Sequence, residues 1–195
     1  MGKETHKRQV EKLFDKSFVV DTNSVKRIVE KTHKVKQYTK QLLRNMVKQG
    51  KIKRLTKGYY TSHDDPSLAV FCFKPAYLGL QDALSFHDLW EQEIVPVIIT
   101  TRKIRPGVRA VLGTNVLIRR IEKRYCFGFE YSKQGEFYLP YSDLEKTFID
   151  MVYFNERMTE ETVKNLRCRI DKKKLDSYLK TYPKRFIKKI KSIIP

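Results

Sequence analysis

Apolar residues recur at helical spacing through the first fifty positions. Val10, Leu13 and Phe14 share one side of a predicted helix over residues 4–14, and Val25, Ile28 and Val29 give an apolar stripe to a second that runs to about Lys31. Between them, Val-Val-Asp-Thr-Asn-Ser offers several helix N-caps. A polar break at Thr32-His33-Lys34 precedes a third helix over residues 35–49. Successive residues of a helix turn by about 100°. That spacing sets Val35, Thr39, Leu42, Leu43 and Met46 on one arc, with Gln37, Lys40, Gln41, Arg44 and Lys48 opposite. Gly50 is suited to end this helix. The period then changes to that of a hairpin: residues 51–55 read as a strand, Thr56-Lys57-Gly58 as a tight turn, and Tyr59-Tyr60-Thr61 as the return strand.

His63-Asp64-Asp65-Pro66 is a polar break, read as a turn and linker that divides the chain into residues 1–66 and 67–195. The second part has a mixed pattern. A helix is predicted over residues 77–87 with Leu80, Ala83, Leu84 and His87 on one side, and residues 94–100 read as a buried strand. Residues 108–121 supply more strand, with Val116, Ile118 and Ile121 apolar, and residues 125–131 alternate aromatic with smaller side chains. Residues 143–154 form an amphipathic helix, capped by Ser142 or Asp143, whose Leu144, Phe148, Ile149, Val152 and Tyr153 face a core. Its Glu145, Lys146 and Asp150 read as surface pairs, and Asp82, Asp88, Glu91 and Glu93 as helix and loop surface. Residues 159–195 read as two or three helices with one apolar face and one rich in lysine and arginine. The expected fold class is α+β: an N-terminal winged helix-turn-helix followed by a small mixed α/β domain with a helical, basic C-terminal end.

Charge sharpens this picture. The chain of 195 residues carries 41 Lys+Arg and 22 Asp+Glu, a formal net charge of +19. Residues 1–66 hold a net +10, residues 67–155 only +1, and residues 156–195 +8. A basic head and tail around a neutral middle imply an organised surface and an acidic partner, with nucleic acid ahead of membrane. Three short helices, the last one basic, followed by a basic hairpin, give the element order of a winged helix. Its third helix enters the major groove, where Arg and Lys pair with guanine edges and Gln with adenine edges. On this reading Lys36, Gln37, Lys40, Gln41 and Arg44 face the groove, Tyr38 flanks it, and Lys53, Arg54 and Lys57 hold phosphates.

Cys72, Cys126 and Cys168 are odd in number and lack any C-x-x-C spacing, so neither a disulfide framework nor a zinc site is indicated, and a reducing cytoplasm fits. No apolar run approaches the roughly 18 residues of a membrane span. The chain has no Walker A loop, no H-E-x-x-H, no G-x-S-x-G and no carboxylate cluster suited to two-metal chemistry. No enzyme activity, metal or cofactor is therefore expected.

Four segments carry a family resemblance. G-K-I-K-R-L-T-K-G-Y-Y-T at residues 50–61, Y-L-G-L-Q-D-A-L-S-F-H-D-L at 77–89, the strand at 97–101, and S-D-L-E-K-T-F-I-D-M-V-Y at 142–153 stand in the order found in the AbiEi abortive-infection antitoxins. The chain resembles that family over most of its length. The resemblance implies an N-terminal winged helix that represses a type IV toxin–antitoxin operon at promoter inverted repeats. It also implies a second domain that counters a nucleotidyltransferase-like toxin without a stable complex, and it makes Glu145, Lys146 and Asp150 the members of an E-K-x-x-x-D antitoxin motif. The basic tail after Arg157 has no residue-by-residue match in the family. The sequence thus leads to a DNA-binding transcriptional regulator, with two alternatives: a stand-alone winged-helix regulator, or an enzyme acting on nucleic acid that uses the winged helix for targeting.

Overall fold

The computed structural model describes residues 2–29, 35–92 and 94–194. The chain divides into two compact units, one comprising the chain up to Cys72 together with Ala110–Thr114, the other the remainder.

The first unit opens with α1 (Gly2–Lys16), a short strand β1 (Val20–Asp21), α2 (Thr22–Val29) and α3 (Val35–Lys48), then the hairpin β2 (Lys53–Thr56) and β3 (Tyr59–Thr61). The two hairpin strands pair antiparallel, and β1 adds to β3 with Val20 opposite Tyr60, giving the order β1-β3-β2. Val10 and Phe14 from α1, Val25 and Val29 from α2, and Leu42, Leu43 and Met46 from α3 are all buried in one cluster. Burying each such side chain contributes roughly 1.5–3 kcal/mol, and this cluster is what the helical apolar spacing encodes. Asp21 starts α2: its carboxylate accepts from the backbone N–H of Asn23 (2.8 Å) and Ser24 (3.1 Å) and from the Ser24 hydroxyl (2.7 Å). Gly50 adopts φ +69° just after α3, and Lys51 donates its N–H to the Met46 carbonyl at 3.1 Å, so the helix ends in the left-handed cap its sequence predicts.

Asp65 accepts from the Ser67 N–H at 2.8 Å and starts a 3-10 stretch, Pro66–Phe73, in which Leu68, Ala69 and Val70 are fully buried.

A mixed six-stranded sheet falls mainly in the second unit. Its strands are β4 (Ala76–Leu78), β5 (Val97–Thr100), β6 (Gly107–Val111), β7 (Thr114–Arg120), β8 (Phe129–Gln134) and β9 (Phe137–Ser142), in the order β6-β7-β5-β4-β9-β8. Strand β4 runs antiparallel to β5 and parallel to β9, and β5 runs parallel to β7. Four helices complete the unit after the strands: α5 (Leu144–Tyr153), α6 (Glu160–Arg169), α7 (Lys172–Leu179) and α8 (Lys184–Ile193). The molecule is therefore α+β. Among the described residues no helix is long and apolar enough to cross a membrane.

Several expectations for this unit are corrected. Residues 77–87 are not one helix: Ala76–Leu78 is a central strand, and only α4 (Gln81–Phe86) is helical. Leu80 at φ 57° makes the corner, and the strand's ladders to β5 and β9 outweigh the helical propensity of the segment. Residues 108–121 are strand as expected, divided between β6 and β7, and β9 adds a strand that the sequence pattern does not predict. Asp82 is buried, its carboxylate accepting from the Val97 N–H at 3.1 Å where β5 begins, whereas Asp88 and Glu91 are exposed and Glu93 lies outside the described residues.

Candidate nucleic-acid interface

Helix α3 divides as its sequence requires. Thr39, Leu42, Leu43 and Met46 face the core with at most 8% exposure, and Gln37, Lys40, Gln41, Arg44 and Lys48 are exposed. Tyr38 is half-buried and packs against the same core cluster as Tyr60, so its ring serves packing. The side chain of Lys36 lies outside the described residues.

The hairpin meets this face. Lys40, Arg44 and Lys48 of α3, with Arg54 and Lys57 of the hairpin, line a groove of about 570 Å³ together with Leu43, Val47 and Tyr60. Thr22, at the start of α2, fixes the turn side of the groove: its N–H and hydroxyl both donate to the Gly58 carbonyl, at 2.8 and 3.0 Å. Arg54 is exposed, with Nε donating to the Thr56 carbonyl at 3.2 Å, and Lys57 sits exposed on the turn. Five positive groups line one concave surface with no carboxylate among its described lining residues, which concentrates positive potential there. Lys40 and Arg44 are predicted from the sequence on the third helix, and Arg54 and Lys57 on the hairpin; the fold unites them and adds Lys48. Lys53 stands apart, because its ammonium pairs with the Asp64 carboxylate.

The fold has a known counterpart. The crystal structure of the RV2827C protein from Mycobacterium tuberculosis is similar to this chain with a TM-score of 0.63 and 12% identity, over 97% of this chain and 76% of that one. This is a likeness of fold. No protein-family model and no curated protein matches the chain.

The other candidate residues, Glu145, Lys146 and Asp150, do not lie on a surface. Lys146 and Asp150 are 0% exposed and Glu145 5%, which overturns their assignment as surface pairs. The apolar stripe of α5 is real, but α6, α7 and α8 contribute to the same core cluster, so every residue from Leu144 to Val152 is buried. The pattern of α5 alone does not signal this: its polar residues look solvated until the later helices cover them.

The polar side chains of α5 are instead satisfied internally. Lys146 Nζ pairs with Asp150, donates to the Tyr182 hydroxyl at 3.3 Å and lies over the rings of Phe127 (5.3 Å) and Tyr77 (5.7 Å). Asp150 also accepts from the Tyr77 hydroxyl at 2.7 Å. Asp143 caps the helix by accepting from the Lys146 N–H (2.8 Å), and it accepts from the Tyr178 hydroxyl (2.7 Å) and pairs with Lys174 (3.1 Å). Glu145 accepts from the Asp171 N–H (2.9 Å) and shares Lys174 (3.1 Å). The carboxylates thereby fasten α7 and its entry to α5. Gly128 lets the chain pass: at φ +68°, an added Cβ would lie 2.9 Å from both Lys146 Cβ and Tyr178 Cε2.

Burial dominates the electrostatics of this cluster. It raises the Asp150 carboxyl above its ordinary value, against the opposing pull of Lys146. Burial and the nearby Asp150 charge push the Tyr77 hydroxyl well up, and burial with the Asp143 hydrogen bond pushes Tyr178 to about 12. These hydroxyls are protonated donors at neutral pH. With Glu145, Lys146 and Asp150 buried and internally paired, the cluster is built to position helices.

Proposed function

We propose that residues 1–66 form a winged helix-turn-helix that binds double-stranded DNA, and that the protein is a transcriptional regulator acting by occupancy of its operator. The observation that carries this reading is the groove ringed by Lys40, Arg44, Lys48, Arg54 and Lys57. Helix α3 inserts in the major groove, Gln37, Gln41 and Arg44 read base edges, and Arg54 and Lys57 hold phosphates. The apolar part of the lining offers contact to a thymine methyl.

The role of the second unit follows from the AbiEi resemblance: an antitoxin and autorepressor, acting on promoter inverted repeats and against a nucleotidyltransferase-like toxin without a stable complex. Glu145, Lys146 and Asp150 then act by holding the C-terminal helices in place, since their side chains have no route to a toxin. The same burial also fits a stand-alone regulator in which the segment is structural. Co-expression with such a toxin separates the two: rescue of growth marks the antitoxin, and unrelieved toxicity the plain regulator.

The deciding measurement is binding to a labelled duplex of the protein's own upstream region against scrambled DNA across a salt series. Preference for the upstream duplex at every salt concentration is expected. Equal affinity for both sequences, falling steeply with salt, would reduce the site to generic charge.

A further inference from the structure

Helix α8 repeats, in the second unit, the division of faces found in α3. Phe186, Ile187, Ile190 and Ile193 turn toward the core, whereas Lys184, Arg185, Lys188, Lys189 and Lys191 are exposed, and the helix contains no acid. A helix face that is merely solvated gains from opposite charges three or four residues apart; here 184/188 and 185/189 are like-charged pairs that work against the helix. Lys191 is held by Asp176 at 3.1 Å, and Lys189 donates to the Asn155 amide oxygen at 2.7 Å. Among the described residues, no ion pair joins Lys184, Arg185 or Lys188.

We infer that this face is a second phosphate-binding surface, for the backbone of duplex DNA. Two features select that partner. The aromatic rings nearby are turned inward, Tyr182 stacking on Phe186 at 5.0 Å between centroids, so the face has no platform for unstacked bases of a single strand. Its outer residues are also lysine and arginine without apolar or aromatic anchors, and lysine is depleted at protein interfaces. From residue 184 to 191 the helix rises about 10 Å, alongside which a duplex presents roughly six phosphates. The Lys146–Tyr182 hydrogen bond anchors the turn from which α8 leaves, which fixes where this charge is presented. The contact rests on the proposed DNA binding by α3, and it adds affinity without sequence preference.

The test compares the full-length chain with the triple variant Lys184→Gln/Arg185→Gln/Lys188→Gln and with a charge-matched control, Lys103→Gln/Arg105→Gln/Lys133→Gln. Each is titrated against the upstream duplex, scrambled duplex and an RNA hairpin over a salt series. The α8 triple variant should flatten the salt dependence on both DNAs by about 2 to 3 in log–log slope, keep the ratio of upstream to scrambled affinity, and exceed the control in effect. Its thermal unfolding should be no lower than that of the parent, because all three side chains are exposed and the change relieves the like-charged pairs. An unchanged slope while Arg44→Ala abolishes preference would overturn the inference and leave the α3 reading standing. Equal losses from both triples would overturn it in favour of net charge, and loss confined to RNA in favour of an RNA partner. If the parent binds neither duplex, the α3 reading falls together with this one.

Discussion

Lys146 and Asp150 stand one turn apart on α5, joined as an ion pair with neither side chain exposed to solvent. Removing one member of such a pair leaves an uncompensated buried charge and costs about 3–5 kcal/mol. Lys146→Met should therefore destabilise the second unit by that amount in urea unfolding. The double variant Lys146→Met/Asp150→Asn should be milder than the single, because a neutral amide still accepts the Tyr77 hydroxyl. Acid should reduce the penalty of Lys146→Met. Burial raises the Asp150 carboxyl, and a group raised in the folded state gains stability as pH falls through its folded value toward the ordinary 3.8. A double variant as unstable as the sum of its parts would show the two residues to be uncoupled.

Helix α5 departs from its sequence pattern in its outer face alone. Leu144, Phe148, Ile149 and Val152 define a stripe that periodicity finds, whereas the burial of Lys146 depends on α7 and Tyr182, which lie far along the chain. Local pattern encodes α1 to α3 well, because their core is made by neighbours in sequence. It fails at residues 77–87, where the strand Ala76–Leu78 exists through pairing with β5 and β9. The basic residues of the interface were legible as types. Their convergence in one groove was not, nor was the pairing of Lys53 with Asp64, since both depend on how the hairpin folds back.

Asp21 offers a pH-dependent test of the first unit. Burial raises its carboxyl, but the Ser24 hydroxyl and the Ser24 and Asn23 N–H groups together win, and the net shift is downward from 3.8. A depressed carboxyl contributes stability that is present above its unfolded value and lost as pH falls through the folded one. Asp21→Ala should cost about 1 kcal/mol at pH 7, with the difference from the parent narrowing below pH 3.8. Thermal melts at neutral and acidic pH check this; a constant difference would mean that the cap acts through something other than the carboxylate charge.

Lys53 is engaged by Asp64, whose side chain is 80% exposed, so a phosphate must compete with a weak surface pair to recruit it. Asp64→Asn should free the ammonium and tighten binding to upstream and scrambled duplexes alike, steepening the log–log salt slope by up to about 0.9 for one added phosphate contact. The same change in a Lys53→Ala background should do less. If the gain is equal in both backgrounds, it comes from the lost negative charge alone and Lys53 holds no phosphate.

Arg44 and Gln41 lie one turn or less apart on the exposed face of α3, and only Arg44 also lines the groove shared with the hairpin. Base contacts specify sequence whereas phosphate contacts position the protein, so the two classes of variant should separate. Arg44→Ala and Gln41→Ala should each lower affinity for the upstream duplex by about 1–3 kcal/mol, with a much smaller loss on scrambled DNA. Lys57→Ala, on the turn, should weaken both duplexes by the same factor. Competition titrations at fixed salt measure the ratio directly. Equal losses on the two DNAs from Arg44→Ala would make that side chain a phosphate contact and move sequence reading elsewhere on α3, with Gln37 and Lys40 the other exposed side chains toward its start among the described residues.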